Sequence, residues 1–165
     1  MVDTHAPPRP RLWLGLLVFL ALAYAASAVG TLAQGDDVGA RYLALDRPAW
    51  APPSWLFGPV WTVLYAFIGV AGWRIWRAAG TVGAASAALG LWGTQLVVNA
   101  IWPGVFFGAG ALGAGLAVIL VLNVLVIATI LAARRHDHLA GWLLVPYLVW
   151  ILYATALNAA LWVAN

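Results

Sequence analysis

Long apolar stretches, uncharged at their centres, dominate this sequence and leave little choice of fold. A bilayer core of about 30 Å is crossed by about 20 apolar residues in a helix rising about 1.5 Å per residue. Five stretches have that length, at 12–33, 53–76, 82–102, 109–133 and 139–163. They are continuously apolar rather than alternating, which selects helices over a barrel. The expectation is an all-α membrane protein, a five-transmembrane-helix bundle forming a single domain over residues 1–165.

Composition excludes the main competing classes. Hydrophobic residues make up 65% of the chain and charged residues 8%, against about 25% charged in a typical soluble domain. A water-facing surface cannot be built from so few charges, so a soluble globular enzyme is excluded. The apolar content excludes disorder. There is no Cys, hence no disulfide scaffold, thiolate metal site or Cys nucleophile. All eight basic residues are Arg and all five acidic ones are Asp. These Arg form no basic run, so nucleic acid is not an expected partner; the lipid bilayer is.

Their placement sets an orientation. Arg9, Arg11, Arg74, Arg77, Arg134 and Arg135 fall on one side of a five-span bundle, and Arg41 and Arg47 on the other. The positive-inside rule then puts the N-terminus in the cytoplasm, in a multi-pass protein of the cytoplasmic membrane. Arg9 and Arg11 followed by an apolar run and Ala26-Ser27-Ala28 also have the pattern of a secretory signal. The run continues to Ala33, longer than such a signal needs, and reads as a retained span.

The connector 34–52 is the long one, carrying Asp36, Asp37, Arg41, Asp46 and Arg47, with Pro48, Pro52 and Pro53 stiffening its end. In so small a bundle it is either a lid over a site or a tether.

Polar and aromatic residues inside the spans mark where such a site would lie. Most of the eleven Trp sit near span ends, as an interfacial belt does. Trp61, Trp92 and Trp150 lie deeper, where an indole N–H needs a partner or a ligand. Gln95 and Asn99 are four apart and share a face, flanked by Trp92 and Trp102. Trp61 and Tyr65 form a second four-residue pair. Tyr147, Trp150, Ala154 and Asn158 form a third stripe. These three spans can place aromatic and amide groups in one cavity beneath the long connector. The alternative is hydrogen bonding between helices with no ligand, and Asn123 is assigned to that. Gly83, Ala87 and Gly90 are small residues spaced for close helix approach, a candidate dimer seam. His136-Asp137-His138 is the only cluster with ligand chemistry; its residues are too close in sequence to converge on one ion, so no metal is expected.

The segment Arg47-Pro48-Ala49-Trp50-Ala51-Pro52-Pro53-Ser54-Trp55, followed by Gly58-Pro59-Val60-Trp61-Thr62-Val63-Leu64-Tyr65, resembles the signature of the TspO/MBR family. Residues 95–108, from Gln95 and Asn99 through Trp102 and Phe106, are similar to its third-helix motif. Val145-Pro146-Tyr147-Leu148-Val149-Trp150, with Ala154 to Asn158, is similar to its fifth-helix motif.

The resemblance implies a five-helix bundle, commonly a homodimer. It implies a receptor or carrier for tetrapyrroles such as protoporphyrin IX and haem intermediates, with no cofactor required. Benzodiazepine-like drugs are further expected ligands. By position Trp61 and Trp150 match the family's paired pocket tryptophans, which imply light-dependent porphyrin breakdown as an alternative activity; a ligand-responsive regulatory scaffold is a third reading. Asn99 matches a polar pocket residue, Trp50 and Pro52 the closing loop, and Ala154 a small position beside the ligand. The sterol-recognition pattern of some members is broken here, because no basic residue follows Val149 and Tyr153. Arg41 and Arg47 are the candidates to meet a porphyrin's propionates.

Overall fold

The computed structural model describes residues 9–165, with side chains from Leu12 onward, so Arg9 and Arg11 of the orientation reading lie outside the described side chains. Helix α1 runs Arg9–Gln34, and Gly35 stops it with φ 81°, a conformation that favours glycine. The long connector is not bare chain: it contains a short helix, α2 (Val38–Ala44), and a 3₁₀ turn at Ser54–Leu56. Helix α3 runs Phe57–Ala79 and stops at Gly80, φ 75°. Helix α4 (Ser86–Pro103) widens into a π turn at Gly104–Gly108. That change falls where Pro103 has no N–H to donate to the preceding turn. Helices α5 (Leu112–Arg134), α6 (His138–Leu143) and α7 (Val145–Ala164) complete the chain. Pro146 sits in the first turn of α7, where a missing N–H costs nothing.

Every regular element among the described residues is helical, as expected. The five-span count is met in part. Four segments are long and apolar enough to cross a membrane: Leu12–Gln34, Ser54–Ala79, Leu112–Arg134 and His138–Ala164. The expected third span, 82–102, is shortened, because residues 82–85 form turns and α4 begins at Ser86. Gln95, Asn99 and Thr94 also dilute its apolar content. The expected span 139–163 is interrupted, with α6 giving way to α7 at Leu144.

Helix α5 packs between α4 and α7, while α1 packs on α3 and α4. Close approach of α1 to α3 depends on Gly69 and Gly72. A Cβ on Gly69 would lie 3.0 Å from the Leu20 backbone, and one on Gly72 2.8 Å from the Phe19 ring and 2.6 Å from the Trp92 ring of α4. The opposite ends of these two helices diverge around a cavity.

The end of the bundle bearing Arg74, Arg77, Arg134 and Arg135 is tied by one ion pair, Arg74 Nη2 to Asp137 Oδ2 at 2.7 Å. Asp137 also caps α6, accepting from the Leu139 and Ala140 N–H groups at 2.8 and 3.1 Å. Burial alone raises the pKa of this carboxyl. Its hydrogen bonds from Ala140 and Arg74, with the Arg74 charge, outweigh that and hold it below the ordinary value. The His136-Asp137-His138 cluster is therefore a capped turn, and no group of three metal-ligating side chains converges among the described residues.

Candidate binding site

A cavity of about 430 Å³ lies under α2, enclosed by α1, the first half of α3, the end of α4 and the π turn. One wall is aromatic. Phe57, Trp61 and Tyr65 come from α3 at four-residue steps, so they project from one helix face. Trp102 at the end of α4 and Phe107 in the π turn continue that wall. The facing wall belongs to α1, where Tyr24, Ser27, Thr31 and Gln34 repeat at three- and four-residue steps. Val38, Gly39 and Tyr42 of α2 form the roof. Tyr42 fixes it, donating from its hydroxyl to the Pro52 carbonyl at 2.9 Å and meeting the Phe57 ring edge-on at 5.4 Å. Burial raises the Tyr42 pKa, and the Arg47 guanidinium, 5.0 Å from the ring centroid, only partly offsets this. The hydroxyl therefore stays protonated and able to donate.

Behind the aromatic wall runs a chain of buried hydrogen bonds. The Tyr65 hydroxyl donates to Asn99 Oδ1. Asn99 Nδ2 donates to the Tyr147 hydroxyl at 2.7 Å, which donates to Gln95 Oε1 at 3.0 Å. Gln95 Nε2 ends on the Trp92 carbonyl at 3.0 Å, and the Trp92 indole donates to the Ile68 carbonyl at 2.9 Å. This relay joins α3, α4 and α7 with its polar groups paired, which fixes where Tyr65 and Asn99 face the cavity. Trp61 lies against that relay, its ring 5.4 Å from Tyr65 and 6.1 Å from Tyr147.

The model of the TspO/MBR family matches residues 17–163. The chain belongs to the TspO/MBR family. Relatives include the human translocator protein, 38% identical over 125 residues covering 75% of this chain and 74% of that protein. The tryptophan-rich sensory protein of Cereibacter sphaeroides is 38% identical over 146 residues, 88% of each chain. Protein CrtK of Rhodobacter capsulatus is 33% identical over 152 residues, 92% of this chain and 95% of that one. With its long apolar helices, this TspO/MBR chain is an integral membrane protein.

Of the residues singled out in the sequence, Trp61, Tyr65, Asn99 and Trp102 line the cavity. Gln95 and Tyr147 stand one layer behind, in the relay. Asn158 and Phe106 support Trp102. Asn158 Oδ1 accepts from the Trp102 indole at 3.4 Å, its Nδ2 donates to the Leu112 carbonyl at 2.8 Å, and Phe106 stacks on the Trp102 ring at 5.0 Å. Tyr147, Trp150, Ala154 and Asn158, expected to face the cavity, are not among the residues that line it. Helix α7 packs on α5 and turns Tyr147 toward the α4 amides. Ala154 is buried in the core, and Trp150 rests edge-on against Phe57 at 6.0 Å. Trp50 is half exposed and lies against Tyr153, whose hydroxyl donates to the Trp50 carbonyl at 2.9 Å. Pro52 reaches the site only through the carbonyl that holds Tyr42. Gly83 lies in the turn before α4, and Ala87 and Gly90 are exposed on that helix.

The wall supplied by α1 was missed in the sequence. Its signal is the Tyr24, Ser27, Thr31, Gln34 stripe, the same spacing that marked Gln95 and Asn99. Arg41 is exposed at the roof and also braces it. Its Nη1 donates to the Phe107 and Gly108 carbonyls, both at 2.8 Å, and ties α2 to the π turn.

Proposed function

We propose that this protein is a membrane receptor or carrier for tetrapyrroles, its macrocycle lying against Trp61 in the cavity under α2. The observation that carries this reading is the pairing of an aromatic wall with a neutral polar wall across about 430 Å³. Small-molecule pockets generally span about 300–1,000 Å³ and are lined in this way. A flat conjugated ring stacks on the indole and phenol faces while its polar edge finds hydroxyl and amide partners on α1. Membership of a family whose relatives include translocator and sensory proteins supports the same reading.

In this proposal α4 crosses the bilayer with the four apolar segments, and its polar groups face the bundle interior. Arg74, Arg77, Arg134 and Arg135 mark the cytoplasmic end, with α2 and the cavity mouth at the opposite face of the cytoplasmic membrane. The open α4 face at Ala87 and Gly90 is the proposed contact in a homodimer. A receptor is favoured over a light-dependent porphyrin-degrading enzyme because only Trp61 of the two candidate indoles lines the cavity.

Titration of the purified protein with protoporphyrin IX, followed by Trp quenching, tests the reading. Trp61→Phe weakens binding about two- to tenfold, the range of an aromatic pair. Trp150→Phe leaves affinity nearly unchanged. Equal affinities of wild type and Trp61→Phe would overturn the placement of the ligand.

A further inference from the structure

We propose that the end of the bundle opposite the cavity binds the phosphate of an anionic phospholipid headgroup through Arg77 and Arg134, each held flat on an indole. This second site is independent of the tetrapyrrole reading.

Charge is segregated along the chain. The connector 34–52 has Asp36, Asp37 and Asp46 against Arg41 and Arg47, a formal charge of −1 from three acids and two bases. The far end has Arg74, Arg77, Arg134 and Arg135 against Asp137, a formal charge of +3 from four bases and one acid. Asp137 is taken by Arg74, and among the described residues the other three Arg pair with no acid.

Two of these three are built into place. The Arg77 guanidinium lies over the Trp73 ring, 4.6 Å from its centroid. Trp73 is itself fixed, donating from its indole to the Leu12 carbonyl at 3.0 Å. The Arg134 guanidinium lies over the Trp142 ring at 4.9 Å. Gly141 lets its stem lie close along α6, since a Cβ there would stand 2.5 Å from Arg134 Cγ. Arg134 Nε is buried with no hydrogen-bond partner among the described residues, so nothing there balances its charge. An indole covers the face of a guanidinium and leaves the N–H edge for an oxyanion. Arg77 follows Arg74 by three residues and Arg134 precedes Asp137 by three, so the two stacked pairs flank the Arg74–Asp137 ion pair. Trp142 is exposed beside them, an indole at the helix end where headgroups lie. A zwitterionic headgroup would bring its own cation to a surface already at +3; an anionic one brings only the phosphate that the two N–H edges match.

Native mass spectrometry of the full chain in nonionic detergent, titrated separately with dioleoylphosphatidylglycerol and dioleoylphosphatidylcholine, reads the two affinities. The expected result is at least about tenfold tighter binding of the phosphatidylglycerol. Arg77→Gln and Arg134→Gln each lower that ratio about fivefold. Arg135→Gln, which removes the same charge from a side chain stacked on no indole, lowers it about twofold or less. The ratio is read on folded protein, so a variant with a reduced folded fraction still reports. Equal affinities of the wild type for the two lipids would overturn the site. Equal losses in Arg134→Gln and Arg135→Gln would also overturn it, since an undirected positive surface gives that result. Displacement of the lipid by millimolar inorganic phosphate would overturn the headgroup as the ligand.

Discussion

Tyr147→Phe isolates the buried relay from the cavity. The Tyr147 hydroxyl accepts from Asn99 Nδ2 and donates to Gln95 Oε1, and the side chain is fully buried. Phe fills the same space, so the change deletes two hydrogen bonds and opens no void. Hydrogen bonds between membrane helices contribute about 0.6–1.7 kcal/mol each, so the pair is worth about 1–3 kcal/mol. The loss also leaves an amide N–H and an amide oxygen unpaired in the core. For a chain of this size that corresponds to a melting temperature lowered by about 2–10 °C. Thermal unfolding in detergent, followed by circular dichroism, measures it. Tyr65→Phe deletes only the bond to Asn99 and lowers the melting point by less. Porphyrin affinity of folded Tyr147→Phe falls less than that of Trp61→Phe, because Tyr147 does not line the cavity. An unchanged melting temperature, or a larger affinity loss than Trp61→Phe, would refute the relay as drawn.

Two further outcomes follow from packing and charge. Gly72→Ala puts a Cβ 2.6 Å from the Trp92 ring, which its hydrogen bond to Ile68 holds in place, and destabilises by about 1–3 kcal/mol; a melting point at or above wild type would contradict this. Asp137→Asn removes the charge paired with Arg74 while keeping an oxygen to cap α6, costing about 0.2–1 kcal/mol at neutral pH. Because the folded-state pKa of Asp137 is depressed, its contribution is present above the unfolded value and disappears as pH falls through the folded one. Wild type and variant therefore converge in stability in strong acid, as parallel melting curves across pH will show.

Spacing reveals which residues share a helix face, and to that extent the site was legible. Trp61 with Tyr65, and Asn99 with Trp102, were paired by spacing, and all four line one cavity. Spacing does not say which way a face points. The α7 stripe from Tyr147 to Asn158 is real, yet its direction follows from packing on α5, which no local pattern encodes. Helix α1 shows the converse. Its polar stripe was present, but a long apolar run beginning near Arg9 and Arg11 reads as an anchor, and the stripe emerges only once α3 and α4 are placed beside it. Helix α2 was hidden because seven residues within a charged connector give too little periodicity to register. The bracing role of Arg41 was not legible because its carbonyl partners, Phe107 and Gly108, are distant in sequence.

Helix α1 is pressed onto α3 at Gly69 and Gly72 and stands off where the cavity opens. Only 6% of its apolar window is buried, against 33–39% for the other three apolar segments. At the open end Tyr24 links it to α3, donating from its hydroxyl to the Thr62 carbonyl at 2.9 Å and resting its ring 6.3 Å from that of Tyr65. The same end is seated against α4 and the π turn, where a Cβ on Gly108 would lie 2.5 Å from the Ala33 carbonyl oxygen, so the room left beside Trp61 is set by how far α1 stands from α3 alone.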